Sequence, residues 1–439
     1  MRRWIHLPPG RRSVSTAKPM SRNTPSILGI SRALLLDRNV RTIALTSLIS
    51  GVYIGMMSTL LQPFTVGLGL GVAALGVLQA LGSRFSGLLT SVVQPLAGHY
   101  ADIFGRKVVI LAGSATTIVS MGLFLLAALT RSPVALVAAF LLYGVSTLSN
   151  PASQAMVAES VGLVPHRMDI AFSTVFLLGN VSGAAMSFAA GPLADTAGYD
   201  AIFLLAVALE SVDLFLYARE LRETRTRTGA GGGPRETFSF RKALALPKGF
   251  RGFFATFAMD SFAFGITTNI IYGMLVTTFQ YSLDVISLLV GVFSVAMILA
   301  QYPATRLLLR VGPVKSLAIS ELFGCLMMAG WAISDSVLLF LVFSVVFGLS
   351  VATWVPAQQS LLMARSPANE RGSVGGQLAV YRGLVAFPAP ILGGLLYQAL
   401  GFRAPIIASL VAAVVTTVMI LKLLPQPRDA ASRQPGTPG

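Results

Sequence analysis

Residues 94–105 read QPLAGHYADIFG, and residues 301–312 read QYPATRLLLRVG. Aligned at one offset, Gln94 falls on Gln301, Ala97 on Ala304 and Gly105 on Gly312. The register continues along the chain. Pro151-Ala152 stands opposite Pro356-Ala357, and Arg167 opposite Arg371. AGPLADTAGY stands opposite GGLLYQALGF, which sets Gly191 and Gly198 against Gly394 and Gly401. Two copies of one structural unit, joined in tandem, is the economical reading of such a pattern.

What each copy contains follows from hydropathy. Hydrophobic residues make up 54% of the 439 positions and charged residues 11%. Soluble domains carry roughly 25% charged residues, so this chain has too little polar surface to cover a water-facing globule. Apolar runs of the length that crosses a bilayer, about 20 residues, recur throughout. They predict spans 1–6 at 40–62, 72–97, 107–129, 133–157, 169–193 and 200–220. Spans 7–12 are predicted at 250–279, 284–306, 314–333, 336–362, 373–397 and 402–424. The fold class expected is an all-α polytopic membrane protein of twelve transmembrane helices in two six-helix bundles. The domain plan is a cytosolic extension (1–39), a first bundle (40–220), a basic, Gly-rich cytosolic linker (221–249), a second bundle (250–424) and a disordered tail (425–439). The first 19 residues are Arg-rich and lack acids, as a transit peptide does; they read as part of the cytosolic extension, or as sequence upstream of a start at Met20.

Charge gives the orientation. Of 33 Lys and Arg, Arg131 and Arg403 fall on one side and Arg84 and Arg382 within spans; the remaining 29 fall on the other side. Basic loops stay cytoplasmic, which places both termini in the cytoplasm and the protein in the plasma membrane. The net charge of +16 is scattered over short loops, so it reads as a topology signal and not as a nucleic-acid surface. Cys325 is the single cysteine, and His6, His99 and His166 lack metal-ligand spacing. No phosphate loop, HExxH or paired cysteine motif is present. No catalytic residue, metal site or cofactor is expected, and the chain is read as a monomer and not an enzyme.

The loop after span 2 reads Gly98-His-Tyr-Ala-Asp102-Ile-Phe-Gly105-Arg106-Lys107. It resembles the signature of the major facilitator superfamily, G-x-x-x-D-[RK]-x-G-R-[RK], departing only at Ile103. In the second half Thr305 and Leu309 replace the first glycine and the acid. Read physically, Gly98 and Gly105 permit a tight turn, Asp102 suits the exposed amides of a helix N-terminus, and Arg106 and Lys107 supply ion-pair partners. The resemblance implies that Asp102 locks the two halves on the cytosolic side against the start of span 11, near Ser373, favouring the outward-open state. Family antiporters often carry G-P-x-x-G-G in span 5. Here the stretch is MSFAAG, without the proline, which argues against a drug–proton antiporter.

Span 5 carries Gly179, Gly183, Ser187 and Gly191 at four-residue spacing, and span 11 Gly375, Ala379 and Gly383. Such stripes let helix backbones approach closely. The resemblance also implies that spans 1, 4, 7 and 10 line a central cavity. At helical spacing span 1 sets Thr46, Ser50, Tyr53 and Met57 on one face and span 4 sets Tyr143, Thr147, Asn150 and Gln154, while span 7 offers Asp260, Thr267 and Thr268 and span 10 Ser344 and Gln359. Tyr53, Tyr143, Asn150, Gln154, Thr267 and Thr268 are the substrate-cavity candidates. Ionisable groups deep in a bilayer are costly and suggest function. They are Arg84 in span 2, Glu210 and Asp213 in span 6, Asp260 in span 7 and Arg382 in span 11. Glu321 is placed near the cytosolic end of span 9, where water reaches it. Pairing within each half is expected, with Asp260 and Arg382 ranked first for proton coupling.

These readings point to a secondary transporter that moves a small organic solute by alternating access, coupled to protons and working in efflux. Uniport or import of a sugar-like or anionic metabolite remains open, as does a non-transporting membrane receptor of the same fold.

Overall fold

The computed structural model of the chain describes residues 35–84, 87–162, 165–224, 249–366 and 371–424. Span 1 is α1 (Arg38–Gly67), and span 2 is two helices, α2 (Val72–Gly82) and α3 (Leu88–Phe104). Span 3 is α4 (Arg106–Thr130). Span 4 is α5 (Pro133–Val145), a 3₁₀ turn (Ser146–Leu148) and α6 (Ser149–Ser160). Spans 5 and 6 run through α7 (Pro165–Glu220), which turns at Gly198. Span 7 is α8 (Arg251–Thr268) and α9 (Ile271–Phe279), and spans 8 to 10 are α10 (Leu283–Val311), α11 (Pro313–Ile333) and α12 (Val337–Arg365). Span 11 is α13 (Arg371–Ala386) and α14 (Ala389–Leu400), and span 12 is α15 (Arg403–Leu423).

Ten stretches among the described residues are long and apolar enough to cross a membrane. One of them, Ile170–Glu220, has 51 residues and crosses twice; the interrupted span 2 supplies the twelfth crossing. Hydropathy predicts span 2 as one helix, but it breaks between Gly82 and Leu88. Backbone groups freed inside a membrane need partners from the protein. The Ser83 carbonyl accepts from the Gly87 amide at 3.0 Å and from the Thr90 hydroxyl at 2.8 Å.

The repeat is visible in the backbone. Gly105 (φ 107°, ψ 153°) and Gly312 (φ 84°, ψ 168°) end α3 and α10 in the same conformation. Gly198 (φ 82°, ψ 164°) and Gly401 (φ 83°, ψ −171°) do so before spans 6 and 12. Only glycine adopts this region without strain, so the pairs aligned in the sequence mark equivalent turns. The segments proposed as extension, linker and tail lie largely outside the described residues.

Each half packs around its own aromatic core. Phe124, Phe140 and Phe203 are fully buried in the first half, and Phe253, Phe257 and Phe340 in the second. Outward faces carry exposed aliphatics such as Leu299, Leu338 and Leu421, as lipid contact requires. The glycine stripe of span 5 serves mainly within its half. A Cβ at Gly55 would lie 2.3 Å from the Gly183 carbonyl oxygen, and one at Gly51 2.2 Å from that of Gly179. Spans 1 and 5 therefore touch backbone to backbone.

The halves meet on the face opposite the chain's described ends. The Gln62 side-chain oxygen accepts from the amides of Tyr272 (2.9 Å) and Gly273 (3.2 Å). The Gly191 amide donates to the Ser287 hydroxyl at 2.5 Å. A Cβ at Gly76 would lie 2.2 Å from the Pro390 carbonyl oxygen, and one at Gly394 2.7 Å from the Ala73 Cα. Nearer mid-membrane Gly383 packs on Ser91. On this face spans 1 and 7, 2 and 11, and 5 and 8 close against one another.

Candidate functional site

In the second half the charges converge. Asp260 on α8 is 6% exposed, and its Oδ2 lies 3.6 Å from Nη2 of Arg382 on α13. Arg382 also donates from Nε to the Ser261 hydroxyl at 2.7 Å and from Nη1 to Gln358 Oε1 at 3.1 Å. Trp354 Nε1 donates to the same Gln358 oxygen at 2.9 Å. Glu321 enters from α11. It is 1% exposed, not solvated as its place in the sequence suggested, because α11 turns it inward. Its carboxyl faces that of Asp260, and neither of its oxygens has a hydrogen-bond donor. One guanidinium thus stands against two buried carboxyls. Leaving a buried charge uncompensated costs about 3–5 kcal/mol, so the arrangement is neutral only with one proton on the acid pair.

Sequence spacing alone does not connect Ser261, Gln358 and Glu321 to this cluster. In span 10 the sequence points to Gln359, but that residue is exposed, and Gln358 one position earlier faces the arginine. Glu321 did carry a signal, as an acid within an apolar run.

In the first half Arg84 sits at the break between α2 and α3. It donates from Nη1 to the Tyr53 hydroxyl at 3.0 Å, and its guanidinium lies 5.5 Å from the centre of the Tyr143 ring. Tyr53 faces Glu210, which accepts from the Ser114 hydroxyl at 2.6 Å. Asp213, one turn further along α7, is 1% exposed, and neither carboxylate oxygen has a partner. These groups border a cavity of about 220 Å³ that reaches from Ser47, Asn150 and Gln154 to Glu210, Asp213 and Tyr217. Four substrate-cavity candidates are therefore near one another: Tyr53, Asn150 and Gln154 line the cavity, and Tyr143 is packed behind Arg84.

The two threonine candidates of span 7 are placed elsewhere. Thr267 is fully buried and points to α15, bonding to the Pro405 carbonyl (2.9 Å) and the Ser409 hydroxyl (2.7 Å). These bonds join spans 7 and 12. Thr268 donates to the Phe264 carbonyl within its own helix at 2.9 Å, and its carbonyl accepts from Gln62 at 3.4 Å. Thr46, Thr147 and Ser344 likewise donate within their own helices.

The 98–107 motif, expected as a loop, is helical except at Gly105, with Gly98 inside α3, and it is tied into its own half. The nearest atom to a Cβ at Gly98 would be Pro151 Cβ at 3.8 Å, and Gly105 takes the turn. Arg106 bridges Asp102 and, at 3.0 Å, Glu159 at the end of α6. The acid at the α4 N-terminus is Glu223, not Asp102. Its two oxygens accept from the Arg106 and Lys107 amides, each at 3.0 Å, where the helix dipole favours negative charge. Lys107 Nζ caps the end of span 6 through the carbonyls of Ala218 (2.7 Å) and Leu221 (2.9 Å). The Asp102 side chain is 67% exposed. The side chain of Ser373, its expected docking point, lies outside the described residues.

Two bundles of six helices, closed together on one face and carrying buried charges in each bundle, define a polytopic membrane transporter fold. The chain belongs to the Major Facilitator Superfamily, whose family model matches residues 42–274 and 252–439, once over each half. Among solved structures it is similar to the human organic anion transporter MFSD10, at 17% identity and a TM-score of 0.62, covering 90% of this chain and 100% of that one. It is similar to the nucleoside transporter NupG, at 15% identity and a TM-score of 0.67, covering 88% and 98%. It also resembles a D-xylose-proton symporter, at 13% identity and a TM-score of 0.68, covering 89% and 99%. No curated protein matches it by sequence.

Proposed function

We propose that this chain is a proton-coupled secondary transporter of a small, polar organic solute, with Asp260, Glu321 and Arg382 as the coupling group. The observation that carries this reading is the buried excess of carboxyl over guanidinium in that cluster. A nearby arginine favours the charged carboxylate and burial favours the neutral acid. Arginine stays protonated, so a change in its distance from the acids shifts the balance and moves a proton on or off. The hydroxyls, amides and tyrosines along the first-half cavity suit a hydrogen-bonding solute. Purified protein in liposomes tests the reading: solute should accumulate under an imposed pH gradient and equilibrate when a protonophore collapses it. Accumulation indifferent to the protonophore would refute it. The same assay with the gradient reversed separates export from import.

The basic asymmetry supports cytoplasmic termini and a cytoplasmic 221–249 linker. The face closed here is then the external one. A cysteine at Ser282, in the Cys325→Ser background, should label with a membrane-impermeant thiol reagent from outside intact cells. One at Thr228 should label only after permeabilisation, and the reverse pattern would invert the topology.

The exposed Asp102 supports a gate role in the opposite state, docking on the start of α13 when the cytosolic face closes. A carboxylate at a helix N-terminus is worth about 0.3–2 kcal/mol, or roughly a two- to thirtyfold shift between two states. Asp102→Asn is expected to favour the inward-open state by that factor, read as the cytosolic accessibility of a cysteine at Asn150. Unaltered accessibility would remove Asp102 from the gate.

A further inference from the structure

Four carboxylates are buried among the described residues: Glu210 and Asp213 in the first half, Asp260 and Glu321 in the second. Each pair has one arginine near it, Arg84 or Arg382. Each half therefore carries one acid more than its arginine can match. We propose that the first half holds a second proton site, at Asp213, distinct from the cluster around Asp260. This goes beyond the coupling reading above by assigning a second proton per cycle, and it rests on that reading for the gradient that drives it.

The assignment to Asp213 follows from what its neighbours already hold. Arg84 is engaged with Tyr53, Tyr53 faces Glu210, and Glu210 accepts from Ser114. That chain balances one positive and one negative charge and gives Glu210 donors, so Glu210 is suited to stay ionised. Asp213 has no donor at either oxygen. The titratable groups that act on it are Glu210 and Tyr217 on its own helix, and Tyr53 on α1 and Arg84 at the break of span 2 line the same cavity. From α4 the cavity wall offers only the hydroxyls of Ser114 and Thr117. An ionised Asp213 here would be a second buried negative charge three residues from Glu210, on the same helix face.

The occupant is a proton and not a larger cation because both Asp213 oxygens are sealed from solvent, leaving no room for an ion or an ammonium group against them. The cavity supplies the route. Asp213 lines the same cavity as Asn150 and Gln154, so a turn of its carboxyl toward the cavity brings the acid to water entering there. Proton binding converts the carboxylate to the neutral acid, and release returns the proton to that water.

The test is the slope of solute accumulation against pH gradient at zero membrane potential. Each proton carried per solute contributes about tenfold accumulation per pH unit, equivalent to about 1.4 kcal/mol. Wild type is expected to reach about a hundredfold per unit, and Asp213→Asn, which mimics the protonated acid in size, about tenfold. The Asp213→Asn/Asp260→Asn double variant should only equilibrate its solute. A wild-type slope that Asp213→Asn leaves in place overturns the second site while the coupling reading stands. A wild type without any dependence on the pH gradient overturns both. Accumulation driven by a sodium gradient, and lost in Asp213→Asn, would make this a metal-cation site instead. If Asp213→Asn does not fold, infrared difference spectra of Asp260→Asn protein labelled with carbon-13 aspartate decide the matter. A labelled protonated-carboxyl band supports Asp213 as the site, and its absence overturns the proposal.

Discussion

Valine at Gly76 is expected to keep the protein from closing the face that is closed here, and so to stop uphill transport. Gly76 on α2 meets Pro390 at the start of α14, and a Cβ would lie 2.2 Å from the Pro390 carbonyl oxygen and 3.0 Å from its carbonyl carbon. Both partners are backbone in helices of the two halves, so no side chain can swing aside. Either the helices separate or the state is lost. Overpacking costs about 1–3 kcal/mol, which converts to roughly a five- to 150-fold loss in the population of this state. The open arrangement is untouched, because there the two helices are apart. The protein should therefore fold and reach the membrane. A cysteine at Ser50, in the Cys325→Ser background, should become more reactive to an impermeant thiol reagent from the face opposite the termini. Gly122→Val is the control, since a Cβ there meets nothing within 4 Å. If Gly76→Val accumulates solute like wild type, the arrangement described here is not part of the working cycle.

Asp260→Asn should lower solute accumulation about tenfold per unit of pH gradient while solute exchange across the liposome remains measurable. The amide keeps the size of the acid but cannot gain or lose a proton. Arg382 keeps its bonds to Ser261 and Gln358, and Glu321 is the carboxyl left of the pair. One proton per solute corresponds to tenfold accumulation per pH unit, so the loss of one coupled proton has a defined size. Accumulation equal to wild type would exclude Asp260 from coupling. A purely structural ion pair predicts a different pattern: Asp260→Asn and Arg382→Gln would each fail to fold, and the double variant would be rescued. In that case the contact between α8 and α13 would hold spans 7 and 11 together and carry no proton.

The twelve crossings, the 6+6 repeat and the family of this chain were legible before any coordinates. Each rests on a property summed along one segment: the transfer of about 20 apolar residues into lipid, or a recurring spacing such as Gly105 and Gly312. So did the presence of deep charges, because each is an exception within an apolar run. The pairing of Asp260 with Arg382 was legible from their similar depth, but the other neighbours of the deep charges were not. A membrane helix has apolar residues on both its lipid-facing and its protein-facing sides, so hydropathy does not define its rotation about its own axis. That is why Gln358 and not Gln359 faces Arg382, why Thr267 turns to span 12 instead of the path, and why Glu321 turns inward beside Asp260. The same limit applied at the helix ends. The sequence placed an acid near the α4 N-terminus, but Glu223, more than a hundred positions from Asp102, is the one that reaches it. Local chemistry determined how many helices there are and where they cross. Only their packing determined which further groups join each buried acid and arginine, such as Glu321, Ser261 and Gln358 around Asp260 and Arg382, since that depends on contacts between residues that the chain order keeps far apart.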